Sequence, residues 1–498
     1  MNANAQPEPG DVFKEHIWPV GGGFFRIGGS LTQAGPNVHL DFPGNVDLTN
    51  AIKAEFYIEK VQCHCGTMDL QVSVNGNDWI LLPFPPTLPE PVDVWPTAPA
   101  DYQHHSYPTV EIPLDQLQDG ANSFRLDVDP EGWWPQNLTY GCMLRVYYDP
   151  DKVDHATGRI VTPESGATVG NNAEYTIDIS AEVEGDNVAQ VDFLGWYDGV
   201  NWEGDGIYQQ WHYHFYRCEI QHHIGTAGSA PYSTTWNTEW VPDQADPMKL
   251  VARIVQNTSE NNVRLVTMTD AVDGLVLSRE NFGVELCKPY EVPVWWVSRM
   301  QEEKAEKFDV TGTMANANAA RMMWSAWCGT YCDAYNINGT RVAGKGPDWT
   351  GYNYWAAEAD ITAHLSAIQE GENTLSTQIT SPGSHGTEIN WPGIQVLIQY
   401  DQVHQTEAAR PDAAGDIAWS VADMKLSARQ GSLIVKGLPA GAGRVVVRTL
   451  NGRRVAARDY ADGCAAVRVD HSILAPGVFV AAVESRSGTI VKSFVVRP

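Results

Sequence analysis

Cys65-Gly66-Thr67 and, a fixed interval later, Asn75-Gly76 recur as Cys328-Gly329-Thr330 and Asn338-Gly339. The surroundings repeat in the same order. Leu117-Gln118-Asp119-Gly120-Ala121-Asn122 answers to Ile368-Gln369-Glu370-Gly371-Glu372-Asn373, and Tyr147-Tyr148-Asp149 to Gln399-Tyr400-Asp401. Several anchors in one order mean one module used twice. A chain of 498 residues is also too long for one core, so three or four domains are expected.

The composition says what those domains are made of. Gly 44, Pro 30, Trp 18 and Tyr 19, with few helix-periodic stretches, favour short strands joined by turns. Alternation marks strands at 53–59, 70–74, 124–128 and 143–148, and Asn75-Gly76 is a hairpin signal because both residues tolerate positive φ. A formal net charge of −28 excludes nucleic-acid binding by phosphate neutralisation. No apolar run is long enough to cross a bilayer as a helix. Ala3-Asn4-Ala5 before Gln6 has the small-x-small form of a signal-peptidase site, so a leader truncated of its charged and apolar parts is expected. Secretion favours disulfides: Cys63 or Cys65 with Cys142, and Cys328 with Cys332, zinc spacing being the alternative.

The expected organisation is all-β: a jelly-roll-like module at 1–152, a second sandwich at 153–285, a second jelly-roll-like module at 286–405, a linker at 406–420 and a small β-sandwich at 421–498. The modules resemble jelly-roll or galactose-binding-like sandwiches. The run 159–166, the alternating 175–179 and the strand 191–199 resemble the start of bacterial immunoglobulin-like domains. Leu474-Ala475-Pro476-Gly477-Val478-Phe479-Val480, then Gly488-Thr489 and Lys492-Ser493-Phe494-Val495-Val496, resembles the type A sorting domain of the type IX secretion system. That likeness implies secretion machinery as a partner and a secreted or outer-surface location.

Sugars present apolar ring faces flanked by hydroxyls, so binding sites pair aromatics with acids and amides. Asp129, Glu131, Trp133, Trp134 and Asn137 form such a mixture in the first copy, and His385, Glu388, Asn390 and Trp391 in the second. Trp349, Tyr352, Tyr354 and Trp355 form a third group. Tryptophans also fill sandwich cores, but the adjacent pair Trp133-Trp134 cannot face one side of a strand.

Two further chemistries match parts of the sequence. Cys65-Gly66-Thr67-Met68-Asp69 is distantly similar to peptide-N-glycosidase F, another pair of jelly rolls, which implies Asp69 as a catalytic carboxylate activating water. Met68 stands where that family has tryptophan. His104-His105 and Trp211-His212-Tyr213-His214 are similar to copper-ligand patterns of the peptidylglycine monooxygenases. On one strand His212 and His214 would share a face, with His222 adding a ligand and Trp211, Tyr213 and Phe215 on the other face. A solvated histidine face is the plainer reading, and the one cofactor these residues allow is a metal ion of unknown identity. The residues together predict non-catalytic binding of an extracellular glycan or polysaccharide, with avidity from two copies. A glycoconjugate hydrolase and a structural adhesive are the alternatives.

Overall fold

The computed structural model describes residues 6–401, with gaps at 20–24, 29–37, 43, 63–66, 90–91, 96–97, 101, 130–135, 281, 297–302, 328–331, 345–353 and 379–386. Beyond 401 it describes the strands of 425–496. The chain is almost all strand and forms two compact units, 2–408 and 409–498. No helix among the described residues is long and apolar enough to cross a membrane. Among the described residues the second unit holds seven strands in a three-stranded and a four-stranded sheet.

Copy A is a sandwich. One sheet carries Ala51–Gln62 beside Gln136–Tyr148, and the other runs through Val38–Asp41, Ser123–Asp129, Met68–Val74 and Ile80–Leu81. Alternation decides which side chains meet between them: Ala54, Phe56 and Ile58 face Leu70, Val72, Val74, Phe124 and Leu126 in a dry core. Copy B repeats this arrangement with Ala317–Trp327 beside Gln395–Tyr400, around Met322, Trp324, Val396 and Ile398.

The repeated motifs build the same scaffold twice. Asn75 adopts φ 50° and its side-chain amide donates to Gln116 O and to Asn122 Oδ1, both at 2.8 Å, while Ser123 N–H donates back to Asn75 Oδ1 at 2.9 Å. Asn338 adopts φ 49° and donates to Ala367 O at 3.0 Å and Asn373 Oδ1 at 2.7 Å, accepting from Thr374 N–H at 3.0 Å. Left-handed backbone and a short amide explain why asparagine stands at both places.

The middle sandwich, with its second sheet of Thr157–Thr162, Thr176–Glu184 and Tyr232–Asn237, is not a separate bead. Val12–Pro19 pairs along one edge with Gln136–Tyr148 and along the other with Val263–Met268, so one sheet runs through copy A and the middle domain. Glu15 on this shared strand is buried and accepts from Arg253 Nη2. Arg253 Nη1 also donates to Asp192 at 2.8 Å, and Arg145 Nε donates to Glu15 at 3.4 Å. Removing one member of such a buried network strands the others, which typically costs about 3–5 kcal/mol.

A loop at 201–206 wedges the middle domain between the copies. Asn201 N–H donates to Gln395 Oε1 at 2.7 Å, and Gln395 Nε2 donates to Asn201 O at 3.2 Å. Gly204 and Gly206 hold φ of 67° and 73°, and a Cβ on them would lie 1.8 Å from His105 O and 2.0 Å from Thr87 Oγ1. Only glycine fits both the conformation and the space.

The expected disulfides are corrected where they can be seen. Cys142 and Cys332 are buried free thiols. Cys142 points into the apolar core of copy A, and Cys332 Sγ donates to Ala334 O at 3.2 Å. Cys63, Cys65 and Cys328 lie outside the described residues.

Candidate functional site

The end of Ala51–Gln62 carries different chemistry on its two faces. On the outward face Glu59, Val61 and the paired residues His105 and Leu138 meet the rest of the unit. Glu59 Oε2 accepts from Arg217 N–H at 2.7 Å, and its Oε1 lies 3.3 Å from His105 Nε2. Burial pushes the Glu59 carboxyl well above the usual carboxylate range and His105 down to about 3. Both shifts favour the uncharged forms, a carboxylic acid against an unprotonated imidazole.

His105 opens a line of rings drawn from all three sandwiches. Tyr107 stacks on His105 at 5.1 Å and on His214 at 4.8 Å, Tyr354 of copy B sets its edge against His105 at 3.9 Å, and Trp202 covers His222 at 4.5 Å. Trp327 of copy B donates from Nε1 to Tyr140 OH of copy A at 3.1 Å. A cavity of about 20 Å³, lined among others by Tyr57, Tyr107, Glu203 and His214, adjoins this line. It has room for a single water and none for a sugar ring.

The histidines correct the metal expectation. Gln209–Trp211 and His214–Tyr216 are separate short strands, with His212 and Tyr213 between them. His212 Nε2 donates toward Tyr197 O at 2.9 Å and Tyr208 O at 3.1 Å, with Nδ1 3.4 Å from Glu203. Burial opposes the charge on His212, but Glu203 outweighs it and raises the imidazole overall. His214 Nε2 does meet His222 Nδ1, at 3.1 Å. Among the described residues no group of three or more metal-ligating side chains forms. Trp211, Tyr213 and Phe215 do pack together, in one core cluster.

The inward face of the same strand end is unlike the core beside it. Past Ile58 come Lys60 and Gln62, with Ser106 and His104 paired to them from one neighbour and Thr139 and Asn137 from the other. All six are buried. His104 Nε2, Ser106 Oγ, Asn137 Nδ2 and Thr139 Oγ1 have no hydrogen-bond partner. Each such atom costs about 1–3 kcal/mol, so four together mark a place where a polar ligand or ordered water belongs. Of the six, only Asn137 was singled out as a glycan contact from sequence.

The other glycan candidates fall into two groups. Trp391 of copy B bridges to copy A: its N–H donates to Gln103 O at 2.7 Å and its Nε1 to Thr87 Oγ1 at 3.0 Å, and its ring meets Tyr102 edge-on at 5.1 Å. Asn390 beside it is buried with neither side-chain atom bonded. Tyr354 and Glu388 are buried too, and Trp355 and Trp391 are half-buried. The described aromatics are covered rather than exposed: Tyr354 and Trp391 where the two copies meet, and Trp355 beside Ala326 within copy B's own sheet. Asp129 ends its strand, and Glu131, Trp133, Trp134, Trp349, Tyr352 and His385 lie outside the described residues. Asp69 is exposed on the other sheet of copy A, with φ 50° beside a register shift opposite 127–129.

Residues 157–262 match the family model described as a bacterial Ig domain. No curated protein matches the chain. Solved structures similar to it include a β-porphyranase of glycoside hydrolase family 86 from Bacteroides plebeius, 13% identical over 45% of this chain and 34% of that one, with a TM-score of 0.19. Fibronectin(III)-like modules of Clostridium thermocellum CbhA match at 13% identity over 45% and 95%, with a TM-score of 0.15. A Ca2+-stabilised, ice-binding adhesin of an Antarctic bacterium matches at 12% over 96% and 99%, also at 0.15. The chain spans about a third of the length of the family 86 enzymes it resembles. TM-scores this low say nothing about activity.

Proposed function

We propose that this is a secreted or cell-surface protein that binds carbohydrate without transforming it. The observation carrying this reading is Asn390, whose buried amide has both polar atoms unbonded beside the half-buried Trp391 where copy B meets copy A. An amide offers a donor and an acceptor together, which is what a sugar hydroxyl pair needs, and an indole supplies the apolar face. A composite seam replaces avidity between two independent sites. Asp69, exposed on the far sheet, gives the hydrolase reading no support beyond its sequence resemblance.

The test is a glycan array with the full chain, followed by calorimetry on the best glycan. Trp391→Ala is expected to weaken binding about tenfold or more. Failure to bind any glycan removes the proposal. The unit 409–498 is read as the export tail, acting through type IX secretion machinery. Its deletion is then expected to retain the protein inside the cell envelope, and unaltered export rejects that role.

A further inference from the structure

The six residues on the inward face at the end of copy A lie in two rows across three adjacent strands. Gln62 pairs with His104 on one side and Asn137 on the other, and Lys60 with Ser106 and Thr139. Alternation puts them on the face that carries Ala54, Phe56 and Ile58 into the core. Here the interior of the sandwich changes from apolar to polar within one strand, with no part of the change at the surface.

The chemistry of the unpaired atoms is specific. His104 Nδ1 lies 3.0 Å from Tyr102 O, so it carries the proton and Nε2 offers a lone pair. Burial, and then the charge of Lys60, hold this imidazole well below its usual pKa and keep it an acceptor. Asn137 Oδ1 faces Lys60 Nζ at 3.5 Å, leaving Nδ2 as a donor. Ser106 and Thr139 supply hydroxyls that do either. Phe84, from the proline-rich insert, closes on the group, its ring 5.2 Å from Lys60 Nζ and 6.2 Å from the His104 ring.

We infer that this end of copy A is a binding site for one neutral saccharide unit, recognised through His104, Ser106, Asn137 and Thr139 with Phe84 against its apolar face. Lys60 would draw an anion toward this group, but an anion calls for donors alone and the His104 lone pair would repel it. A metal ion needs several ligand nitrogens, carboxylates or thiolates, and this group offers one nitrogen. An apolar ligand would leave all four atoms unpaired. A polyol, whose every hydroxyl both donates and accepts, answers each of them. Among the described residues copy B has no such site: those paired in the same way at its strand end are Ala326, Trp355 and Ile389.

This inference rests on the carbohydrate-binding reading but places a ligand away from the seam at Trp391. Calorimetry of the full chain with galactose, glucose, mannose, fucose and N-acetylglucosamine, singly and as the terminal unit of a short oligosaccharide, tests it. The double variant Ser106→Ala/Thr139→Val removes two hydroxyls with little change of shape, and is expected to lose about tenfold or more in affinity for the unit that binds. Phe84→Leu, in the insert, gives a second reading should the double variant not fold, with an expected loss of about threefold to tenfold. Glycan binding that survives both inward variants within twofold overturns this site and leaves the carbohydrate reading standing. Absence of binding to any saccharide overturns both.

Discussion

Copies A and B share a strand pair and diverge at its end. In copy A, Ile58 opposite Cys142 is followed inward by Lys60 opposite Thr139. In copy B, Met322 opposite Val396 is followed inward by Trp324 and then by Ala326 opposite Ile389. The third neighbour matches the contrast, Ser106 against Lys60 and Trp355 against Ala326. Copy B closes its core as a sandwich ordinarily does, whereas copy A stops burying carbon and buries polar groups, among them His104 Nε2, Ser106 Oγ, Asn137 Nδ2 and Thr139 Oγ1 without a hydrogen-bond partner. Nothing in stability requires that, so the difference points to a site in copy A and a supporting part in copy B.

Exchanging the two ends breaks the comparison most severely. Ala326→Lys places a charge in the apolar core of copy B and is expected to destabilise the protein by about 4 kcal/mol or more, read from the urea midpoint. Lys60→Met keeps volume, adds no buried charge, and is expected to cost less than about 1.5 kcal/mol. Equal losses from the two would mean that the ends are not the counterparts described.

Acid is the next largest distinction. Copy A buries His104 and His105, and copy B buries no histidine among the described residues. His105 sits at about 3 in the folded protein against about 6.5 unfolded, so its contribution is complete above pH 6.5. As the pH falls below that, the unfolded chain takes up a proton that the folded chain refuses, and stability is lost down to about pH 3. Between pH 7 and 4.5 wild type should lose on the order of 2–3 kcal/mol that His105→Gln does not lose. Glu59, raised by burial, works the other way, losing stability as the pH climbs above the ordinary carboxylate range, and is present in both proteins. Parallel curves for the two proteins would show that His105 is not buried neutral.

Much of the framework was legible because it is local. Strand alternation, the Asn-Gly turns and the order of repeat anchors all act over a few residues, and 157–262 carries its family pattern in one stretch. The fusion of copy A with the middle domain was not legible. It depends on Val12–Pro19 pairing with strands more than a hundred residues away, and one early strand has no sequence mark for two partners. The site was half legible. Ala54, Phe56, Ile58, Lys60 and Gln62 occupy alternate positions, so a core face turning polar stands in the sequence itself. Lysine and glutamine at a strand end ordinarily reach solvent, so the strand alone does not mark these two as buried.

Where the copies agree, substitutions should agree as well. Asn75→Ala and Asn338→Ala each remove the same set of side-chain bonds at a left-handed residue, and each is expected to cost about 1–3 kcal/mol, within about 0.5 of the other. A wide gap would show that one network has been taken over by something the other lacks.

The smallest effect is the most discriminating. Thr139 and Ile389 stand opposite Lys60 and Ala326 at matching places. With no ligand bound, Thr139→Val exchanges an unpaired buried hydroxyl for a methyl, so the melting temperature should hold or rise by about a degree or two. Ile389→Thr creates in copy B the unpaired hydroxyl that copy A already has, and is expected to cost about 1–3 kcal/mol. If the Thr139 hydroxyl were an ordinary structural group, Thr139→Val would destabilise the free protein as Ile389→Thr does. A free protein untroubled by the change, together with lost stabilisation by saccharide, separates a group kept for a ligand from one kept for the fold.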